Sequence, residues 1–328
     1  MTLRFKVLFC ATLITLLITL LASRHAFPDE KIVYRLKWLI NMSTVGDVMA
    51  ESQGFFRAQG LDVAIKAGGP ERDAIRELEL GYADFGVASA DQVIQAAAKG
   101  APIVVIAQLF QVNPLQWIYF KDKLQLNALS DLRGKTIGVT FGKNDEFIMR
   151  TLLSQAKISE EQVKLFSVRL DYTPFYKGQV DLWPVYANTQ AVEIGQKLRA
   201  AGKAYGFLSP GDFGVHFVAN SVVTSKREMQ ERPDVVRRFL EALLKGWQTA
   251  IEPQNSESAI AAVQQYDRDT ARDLLVEQLK ETRRLVQPEA TKAIGHIDAA
   301  AWKQTEQIMI DHRQIERPVE IVRFLMPQ

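Results

Sequence analysis

The chain contains very little cysteine and histidine, which excludes several kinds of site. Its 328 residues include one cysteine, Cys10, and four histidines. A single cysteine excludes an internal disulfide and a cysteine-based metal cluster. Because Cys10 lies in an apolar N-terminal segment, a cysteine nucleophile in the rest of the chain is excluded as well. No two histidines have the spacing of metal ligands, so the sequence predicts no metal site.

A basic tract is also missing. The chain has 40 Lys and Arg residues against 38 Asp and Glu residues, a formal net charge of +2. Three of the basic residues and none of the acidic ones lie in residues 1–26, so the remainder is close to neutral. Nucleic-acid binding needs clustered Lys and Arg side chains. The sequence therefore predicts no nucleic-acid partner.

The N-terminal segment resembles a secretory signal. Residues 1–6 are a short basic head, and residues 7–22 are an apolar run, too short for the roughly 20 residues of a membrane-spanning helix. We therefore expect residues 1–26 to be a signal peptide. Arg24 lies where a small residue is preferred before cleavage at Ala26, so an uncleaved membrane anchor is the alternative. A body without cysteine suits a bacterial periplasm, where we expect the protein to be located.

From residue 31 onward, short apolar runs alternate with amphipathic segments, which predicts an α/β fold with parallel sheets and crossover helices. The predicted strands are 32–38, 61–67, 83–88, 103–109, 116–121, 135–140, 163–167, 180–185 and 216–224. The predicted helices between them are 45–57, 71–80, 91–99, 145–155 and 189–200. From residue 233 onward the pattern is almost wholly helical.

Two sets of αβ units followed by a helical tail predict two lobes, the second inserted into the first. Lobe one would comprise residues 31–112 and 214–328, and lobe two residues 113–213. The chain would cross between them at residues 111–116 and 210–216, which are rich in Gly, Pro and Asn, as hinge segments often are.

Several motifs, in this order and spacing, resemble those of a known family. They are Lys37-Trp38, Gln53-Gly54-Phe55-Phe56, Gln59-Gly60-Leu61-Asp62-Val63, Gly68-Gly69-Pro70, Gly81-Tyr82-Ala83-Asp84-Phe85-Gly86-Val87, Asp131-Leu132-Arg133-Gly134-Lys135-Thr136-Ile137-Gly138-Val139 and Val180-Asp181. The chain resembles the periplasmic substrate-binding proteins of ABC importers over about residues 31–250. It is similar in particular to the branch with thiamine-pyrimidine-precursor binders, sulfonate and taurine binders and thiamine pyrimidine synthases.

This resemblance implies a periplasmic-binding-protein fold of type II, with two αβ lobes, a two-segment hinge and a helical C-terminal tail. It implies a monomer that captures a small solute by hinge closure and delivers it to an ABC permease and its ATPase. Trp38 with Gly68-Gly69-Pro70 favours a thiamine pyrimidine precursor as the solute. A riboflavin-like heterocycle and an aliphatic sulfonate or taurine are the alternatives.

In lobe one, the candidate ligand-binding residues follow the predicted strands, because ligands of α/β sheets bind beyond the carboxyl ends of strands. Trp38 can stack on a flat ring, or it can cap the core. Asn41 can bond the edge of a heterocycle. The segment Gly68-Gly69-Pro70 can present amides to a ligand, or simply turn the chain. Ser89 is a cleft hydroxyl or, more simply, a helix N-cap.

In lobe two, the segment Phe141-Gly142-Lys143-Asn144 precedes a helix, and we expect free amides there to bind an acceptor or an anion, with Phe141 as a stacking face. Tyr186, Asn188 and Gln190 follow another strand. Gln190 stands where relatives often carry glutamate, so it offers a ligand both an acceptor and a donor.

Near the second crossing, Asp212 of Asp212-Phe213-Gly214-Val215-His216 is a further cleft candidate. His216 is more simply a structural histidine. Arg169 is the nearest arginine in lobe two for a sulfonate.

We do not expect an enzyme. The pyrimidine synthases of the family use a pyridoxal-phosphate lysine and a histidine shortly after the first strand, and residues 41–57 contain neither. The chain also lacks a Gly-x-Ser-x-Gly elbow, a phosphate-binding loop and a His-Glu-x-x-His motif. The sequence therefore predicts no cofactor. A membrane-tethered ligand sensor is the alternative from another class.

Overall fold

The computed structural model describes residues 30–69, 71–288 and 293–327. The predicted signal segment, residues 1–26, and Pro70 lie outside the described residues. Across these three ranges, no helix is long and apolar enough to cross a membrane. The strands in them are β1 Glu30–Arg35, β2 Leu61–Lys66, β3 Phe85–Ala88, β4 Ile103–Gln108, β5 Leu115–Phe120, β6 Thr136–Val139, β7 Lys164–Ser167, β8 Leu182–Tyr186, β9 Tyr205–Leu208 and β10 Ser221–Ser225.

Helices connect most of the strands and form the C-terminal part of the chain. They are α1 Val45–Ser52, α2 Phe55–Ala58, α3 Ala74–Glu79, α4 Ala90–Ala98, α5 Asn144–Gln155, α6 Thr173–Tyr176, α7 Gln190–Ala200, α8 Lys226–Glu231, α9 Pro233–Ile251, α10 Ser256–Gln264, α11 Arg272–Val286 and α12 Ala299–Asp311. A short 3-10 turn, Met42–Thr44, precedes α1.

The first sheet has the strand order β2-β1-β3-β10-β4. Strand β1 runs parallel to β2 and β3, whereas β10 is antiparallel to both of its neighbours, β3 and β4. Strand β10 joins this sheet although the whole second sheet precedes it in the sequence. We call this sheet and the helices packed on it lobe one.

The second sheet, the basis of lobe two, has the order β7-β6-β8-β5-β9. Strand β6 is parallel to β7 and β8, whereas β5 is antiparallel to β8 and β9. Both sheets are therefore mixed, and the expectation of parallel sheets was wrong in this respect. The antiparallel strands β5 and β10 are the first strands after each crossing, where the chain changes sheets without the crossover helix that parallel neighbours need.

The two crossings between the lobes lie side by side. The chain leaves lobe one between Gln108 and Leu115 and returns between Leu208 and Ser221. The Asn113 side-chain amide donates a hydrogen bond to the carbonyl of Phe217 at 3.0 Å, which joins one crossing to the other. The exact domain limits, residues 31–112 with 214–328 and residues 113–213, stay a prediction.

In lobe one, the core lies between the sheet and helices α1 and α9. Phe239 of α9 stacks on Phe85 of β3, with ring centroids 3.8 Å apart. Helices α1 and α9 approach closely because glycines meet at their contact: a Cβ on Gly246 would lie 2.5 Å from the carbonyl oxygen of Gly46. This contact fixes the first turn of α1, which faces lobe two.

Lobe two has an apolar core of its own that includes Ile118, Phe175 and Trp183. A further apolar cluster contains Val105 from lobe one and Trp117 from lobe two. The lobes therefore share apolar packing in addition to the two crossings.

Candidate ligand-binding cleft

A cleft lies between the two lobes, where strands of both sheets end. It encloses about 960 Å³ of empty space, its open mouth included. Lobe one lines it mainly with residues that follow β1, and lobe two with residues that follow β6 and β7 and with the end of β8. This is the place where open α/β sheets bind ligands.

The cleft brings together five of the thirteen predicted binding residues. These five are Trp38, Asn41, Asn144, Tyr186 and Gln190. Seven others do not line it: Gly68, Gly69, Ser89, Phe141, Gly142, Asn188 and Asp212. Pro70 lies outside the described residues. Contact of any of the thirteen with a ligand stays a prediction.

Trp38 lies on the lobe-one side of the cleft, just beyond β1. It is half-buried and belongs to none of the apolar clusters of the described chain. Its backbone is fixed because its carbonyl accepts a hydrogen bond from the amide of Gly68 at 2.8 Å. A Cβ on Gly68 would lie 2.3 Å from the carbonyl oxygen of Leu36, so the close packing of the chain requires glycine at this position.

Asn41 also has a structural task. Its side-chain oxygen accepts a hydrogen bond from the amide of Ser43 at 2.8 Å, and it caps the 3-10 turn Met42–Thr44. The Asn41 side chain thus holds the entrance to α1 in place while it lines the cleft.

Tyr186 and Gln190 form the opposite wall. Lys37 of lobe one donates a hydrogen bond across the cleft to the Tyr186 hydroxyl at 2.6 Å. The Gln190 side-chain oxygen accepts from the Tyr186 amide at 3.1 Å and from the Thr189 hydroxyl at 2.6 Å. The acceptor of Gln190 is therefore already used in the turn that begins α7.

In the loop after β6, the Gly142 and Lys143 amides, two of those that the sequence suggested for an anion, are already bonded within the protein. The Thr140 amide donates to Asp145 and the Gly142 amide to Glu146, each at 2.6 Å. These two carboxylates belong to the first turn of α5 and occupy the amides of Thr140 and Gly142. Asn144 lines the cleft, whereas Phe141 is 49% exposed and is not among the lining residues.

Asn188 is fully buried and joins the lobes instead of lining the cleft. Its amide nitrogen donates to the Ser43 hydroxyl at 3.2 Å and to the Thr282 hydroxyl of α11 at 2.8 Å. Ser43 and Thr282 belong to elements that pack with lobe one, so Asn188 is a contact between the lobes.

Three other candidates have local roles. Ser89 forms a capping box with Gln92 at the start of α4. Gly69 has a φ of +151° and pairs with Arg72 in an isolated bridge. Asp212 is exposed and lies in the short 3-10 turn Pro210–Phe213, which is part of the second crossing.

Two polar residues that line the cleft, Asp47 and Asn220, were not predicted as binding residues, because they belong to none of the recognised motifs. Asp47 belongs to the first turn of α1, is 1% exposed, and accepts a hydrogen bond from the Tyr34 hydroxyl at 2.7 Å. Burial raises the pKa of Asp47 to about 7, against the polar contacts of Tyr34 and Trp247, which lower it. The available signal was a carboxylate among the apolar residues in the first turn of a predicted helix.

Asn220 precedes β10 and is buried. Its side-chain oxygen makes no hydrogen bond within the described chain, and its carbonyl accepts from the amides of Leu109 and Phe110. The sequence offered only a polar residue inside a predicted strand.

The remaining charges of the cleft are largely paired. Lys143 lies 3.7 Å from Asp73 and donates to the carbonyl of Arg72 at 3.0 Å. Arg169 lies 3.5 Å from Glu71. Burial raises the pKa of Asp145 to about 6, although its hydrogen bond with Thr140 lowers it. Across the described residues, no group of three or more His, Cys, Asp or Glu side chains is arranged to hold a metal ion.

The fold is that of known solute-binding proteins. The alkanesulfonate-binding protein SsuA from Xanthomonas axonopodis pv. citri is 16% identical, with a TM-score of 0.68, over 92% of this chain and 98% of that one. A Candida albicans protein described as having the generic periplasmic binding protein fold is 17% identical, with a TM-score of 0.66, over 92% and 96% of the two chains. The predicted α/β two-lobe periplasmic-binding-protein fold is thus confirmed.

The chain belongs to the NMT1/THI5 like family, whose model matches residues 41–256. The riboflavin-binding protein RibY of Chloroflexus aurantiacus is 24% identical over 89% of this chain and 84% of its own length. The formylaminopyrimidine-binding protein of Halalkalibacterium halodurans is 24% identical over 88% of each chain. The suspected family is therefore confirmed.

The family also contains enzymes. The 4-amino-5-hydroxymethyl-2-methylpyrimidine phosphate synthase of Legionella pneumophila is 28% identical over 168 residues. The chain spans about half the length of two curated relatives that it matches, this synthase included, 52% in each.

Proposed function

We propose that the protein is the solute-binding component of an ABC importer and captures a small flat solute in the cleft between its lobes. The observation that carries this proposal is the cleft itself, which both lobes line with aromatic and amide side chains, Trp38 and Asn41 from one side and Tyr186 and Asn144 from the other. A ligand that contacts both walls favours the closed arrangement of the lobes.

Contacts between the lobes support hinge closure as the mechanism. The hydrogen bonds from Lys37 to Tyr186 and from Asn188 to Thr282 each join an element of lobe one to one of lobe two. Both bonds must break if the lobes separate about the two crossings. An ABC permease would recognise the closed arrangement and receive the solute.

For the solute, we propose a thiamine pyrimidine precursor, with a riboflavin-like heterocycle as the first alternative. Trp38 offers a stacking face, and formylaminopyrimidine and riboflavin are the ligands named for two relatives that align along most of this chain. An aliphatic sulfonate is less favoured because Asp47 and Asp145 line the cleft and Arg169 is paired with Glu71.

We propose a binding protein and not a pyrimidine synthase. Pyridoxal phosphate needs a lysine for its aldehyde and donors for its phosphate. The two lysines of the cleft, Lys37 and Lys143, are bonded to Tyr186 and to the Arg72 carbonyl. The amides of Thr140 and Gly142 donate to Asp145 and Glu146, and carboxyl oxygens at these two amides disfavour a phosphate there. The residues present do not fit this cofactor. A purified protein with pyridoxal-phosphate absorbance near 400 nm would contradict this proposal.

A thermal-shift screen tests the main proposal. Pyrimidines, flavins and sulfonates are added separately to the purified protein, and the solute is expected to raise the melting temperature by mass action. Isothermal titration calorimetry then gives its stoichiometry, with one site expected. If all three classes leave the melting temperature unchanged, the proposed class of solute is wrong.

We further propose that the protein is exported to the periplasm and acts there as a monomer. N-terminal sequencing of the protein from the periplasmic fraction tests the export. A mature chain that starts near Phe27 supports a free carrier. A chain that retains residues 1–26 in the membrane fraction supports the tethered sensor instead.

A further inference from the structure

Asp47 is a buried carboxyl deep in the cleft. The Tyr34 hydroxyl of β1 donates a hydrogen bond to its Oδ1 at 2.7 Å and thereby fixes the position of the carboxyl. Asp47 is 1% exposed and is one of the residues that line the cleft. Burying a carboxylate costs several kcal/mol unless it is paired, so an acid in this position is a candidate for function.

The elements packed around Asp47 supply no cation. Strand β1 contributes Tyr34, and α9 contributes Trp247, which faces the carboxyl although its indole nitrogen makes no hydrogen bond. Helix α10 contributes the apolar residues Ala259 and Ile260.

The charged residues that line the same cleft are Lys37, Lys143, Arg169 and Asp145. Each of the three cations has its own protein partner, as described above. None of them neutralises Asp47.

A second acceptor of the same kind is Asn220. Its side-chain oxygen is buried and has no hydrogen-bond donor within the described chain, and Asn220 is one of the residues that line the cleft. A buried acceptor without a partner costs about 1–3 kcal/mol. Lobe one thus presents two acceptors to the cleft and pairs its cleft cation, Lys37, with a protein hydroxyl.

We infer that Asp47 and Asn220 determine specificity by accepting hydrogen bonds from N–H groups of the bound ring, so that the solute is a nitrogen heterocycle with an amino or imino donor. This inference rests on the proposed function, in which the cleft binds a flat solute. Loss of the donor from the solute leaves the Asn220 oxygen without a partner and Asp47 with the Tyr34 hydroxyl alone. A buried acceptor left unpaired is a basis for rejecting such a solute.

The test is a calorimetric comparison of two probes that differ only in the donor, 4-amino-2,5-dimethylpyrimidine and 2,4,5-trimethylpyrimidine. The unaltered protein is expected to bind the amino compound at least tenfold more tightly. Asp47→Asn removes the charge at nearly constant volume and is expected to reduce this preference about tenfold. Asp91→Asn is the matched control, because Asp91 is a buried acid of lobe one that does not line the cleft; it is expected to keep the preference. Melting curves without ligand show that each variant is folded.

If riboflavin binds instead of the pyrimidines, 3-methylriboflavin, which lacks the imide N–H, replaces the trimethyl compound. Equal affinity for the two members of a pair, or an unchanged preference in Asp47→Asn, overturns the inference while the proposed function stands. Binding of taurine in preference to the rings also overturns it. Absence of binding by all probes overturns the proposed function itself.

Discussion

Trp38 and Trp302 are similar side chains in different surroundings. Trp302 of α12 is completely buried, and its indole nitrogen donates to Gln108 at 3.1 Å. Trp38 is half-buried at the cleft and belongs to none of the apolar clusters of the described residues. Of the two meanings that the sequence leaves open for Trp38, stacking face or core cap, its surroundings favour the first.

Replacement of Trp38 by alanine should therefore affect binding more than stability. We expect Trp38→Ala to abolish the thermal shift that a ring solute produces and to leave the melting temperature without ligand nearly unchanged. Trp302→Ala is the control and should lower the free energy of unfolding by about 3–5 kcal/mol, as measured by denaturant unfolding. If Trp38→Ala destabilises the unliganded protein to a similar extent, Trp38 is part of the core and stacking is refuted.

Asp47 should make stability depend on pH. Its pKa is raised by burial from 3.8 to about 7, so the folded chain keeps a proton on Asp47 at pH values where the unfolded chain has lost it. The contribution to stability is complete below about pH 4 and is lost as the pH rises toward 7, by roughly 4 kcal/mol in total.

The measurement is the free energy of unfolding at several pH values for the unaltered protein and for Asp47→Asn. Subtraction of the two profiles removes the other titrating groups, Asp145 among them. The unaltered protein is expected to lose stability relative to the variant between pH 4 and 7. A constant difference over this range would show that Asp47 titrates normally.

At the scale of elements, the contact of α1 with α9 depends on Gly46 and Gly246. A methyl group on Gly246 would lie 2.5 Å from both the Gly46 carbonyl oxygen and the Ala50 Cβ. The helices must then separate, although alanine favours a helix over glycine by about 1 kcal/mol. Since α1 carries Asp47, this separation also alters the cleft.

We expect Gly246→Ala to destabilise the protein by about 1–3 kcal/mol and to weaken solute binding. Chemical denaturation and calorimetry measure the two effects. The control is Gln248→Ala on the exposed face of the same helix, which should change stability by less than about 0.5 kcal/mol. Equal stability of the two variants would mean that the close approach of α1 and α9 is not required.

Some elements could be predicted and others not. The β2 strand and the α4 and α7 helices follow hydrophobic periodicity and lie within a few residues of their predicted positions. The predicted helix over residues 45–57 is instead two helices, because Gly54 adopts a φ of +69° between α1 and α2. Strand β9, Tyr205–Leu208, was not predicted; it is a four-residue edge strand that is ordered by pairing with β5.

At the scale of the whole molecule, Asn188 links the lobes through Ser43 and Thr282. These hydrogen bonds form where the two lobes meet, and separation of the lobes would replace them with hydrogen bonds to water. A net intramolecular hydrogen bond contributes about 0.5–1.5 kcal/mol, which is enough to shift an equilibrium between open and closed forms by several-fold.

We expect Asn188→Ala to increase the open population, and hence the radius of gyration measured by small-angle X-ray scattering without ligand. Saturating solute should restore the compact form. Gln196→Ala is the control, since Gln196 makes only an exposed 3.4 Å contact with Asp273; its scattering curve should match that of the unaltered protein. An unchanged radius of gyration in Asn188→Ala would mean that the hydrogen bonds of Asn188 are not needed to hold the lobes together.

The sequence by itself indicated the family, through the resemblance of its motifs. It also determined the α/β class, because hydrophobic periodicity and glycine-containing turns act locally along the chain. Tertiary structure alone decided that Phe141 does not line the cleft and that Asp47 and Asn220 do. It also decided that Asp145 and Glu146 occupy the amides of Thr140 and Gly142. The physical reason is that a hydrogen-bonding group is used or left available according to neighbours that come from distant parts of the sequence. Local pattern places a residue at the end of a strand, but only packing decides which way its side chain faces and what already holds it.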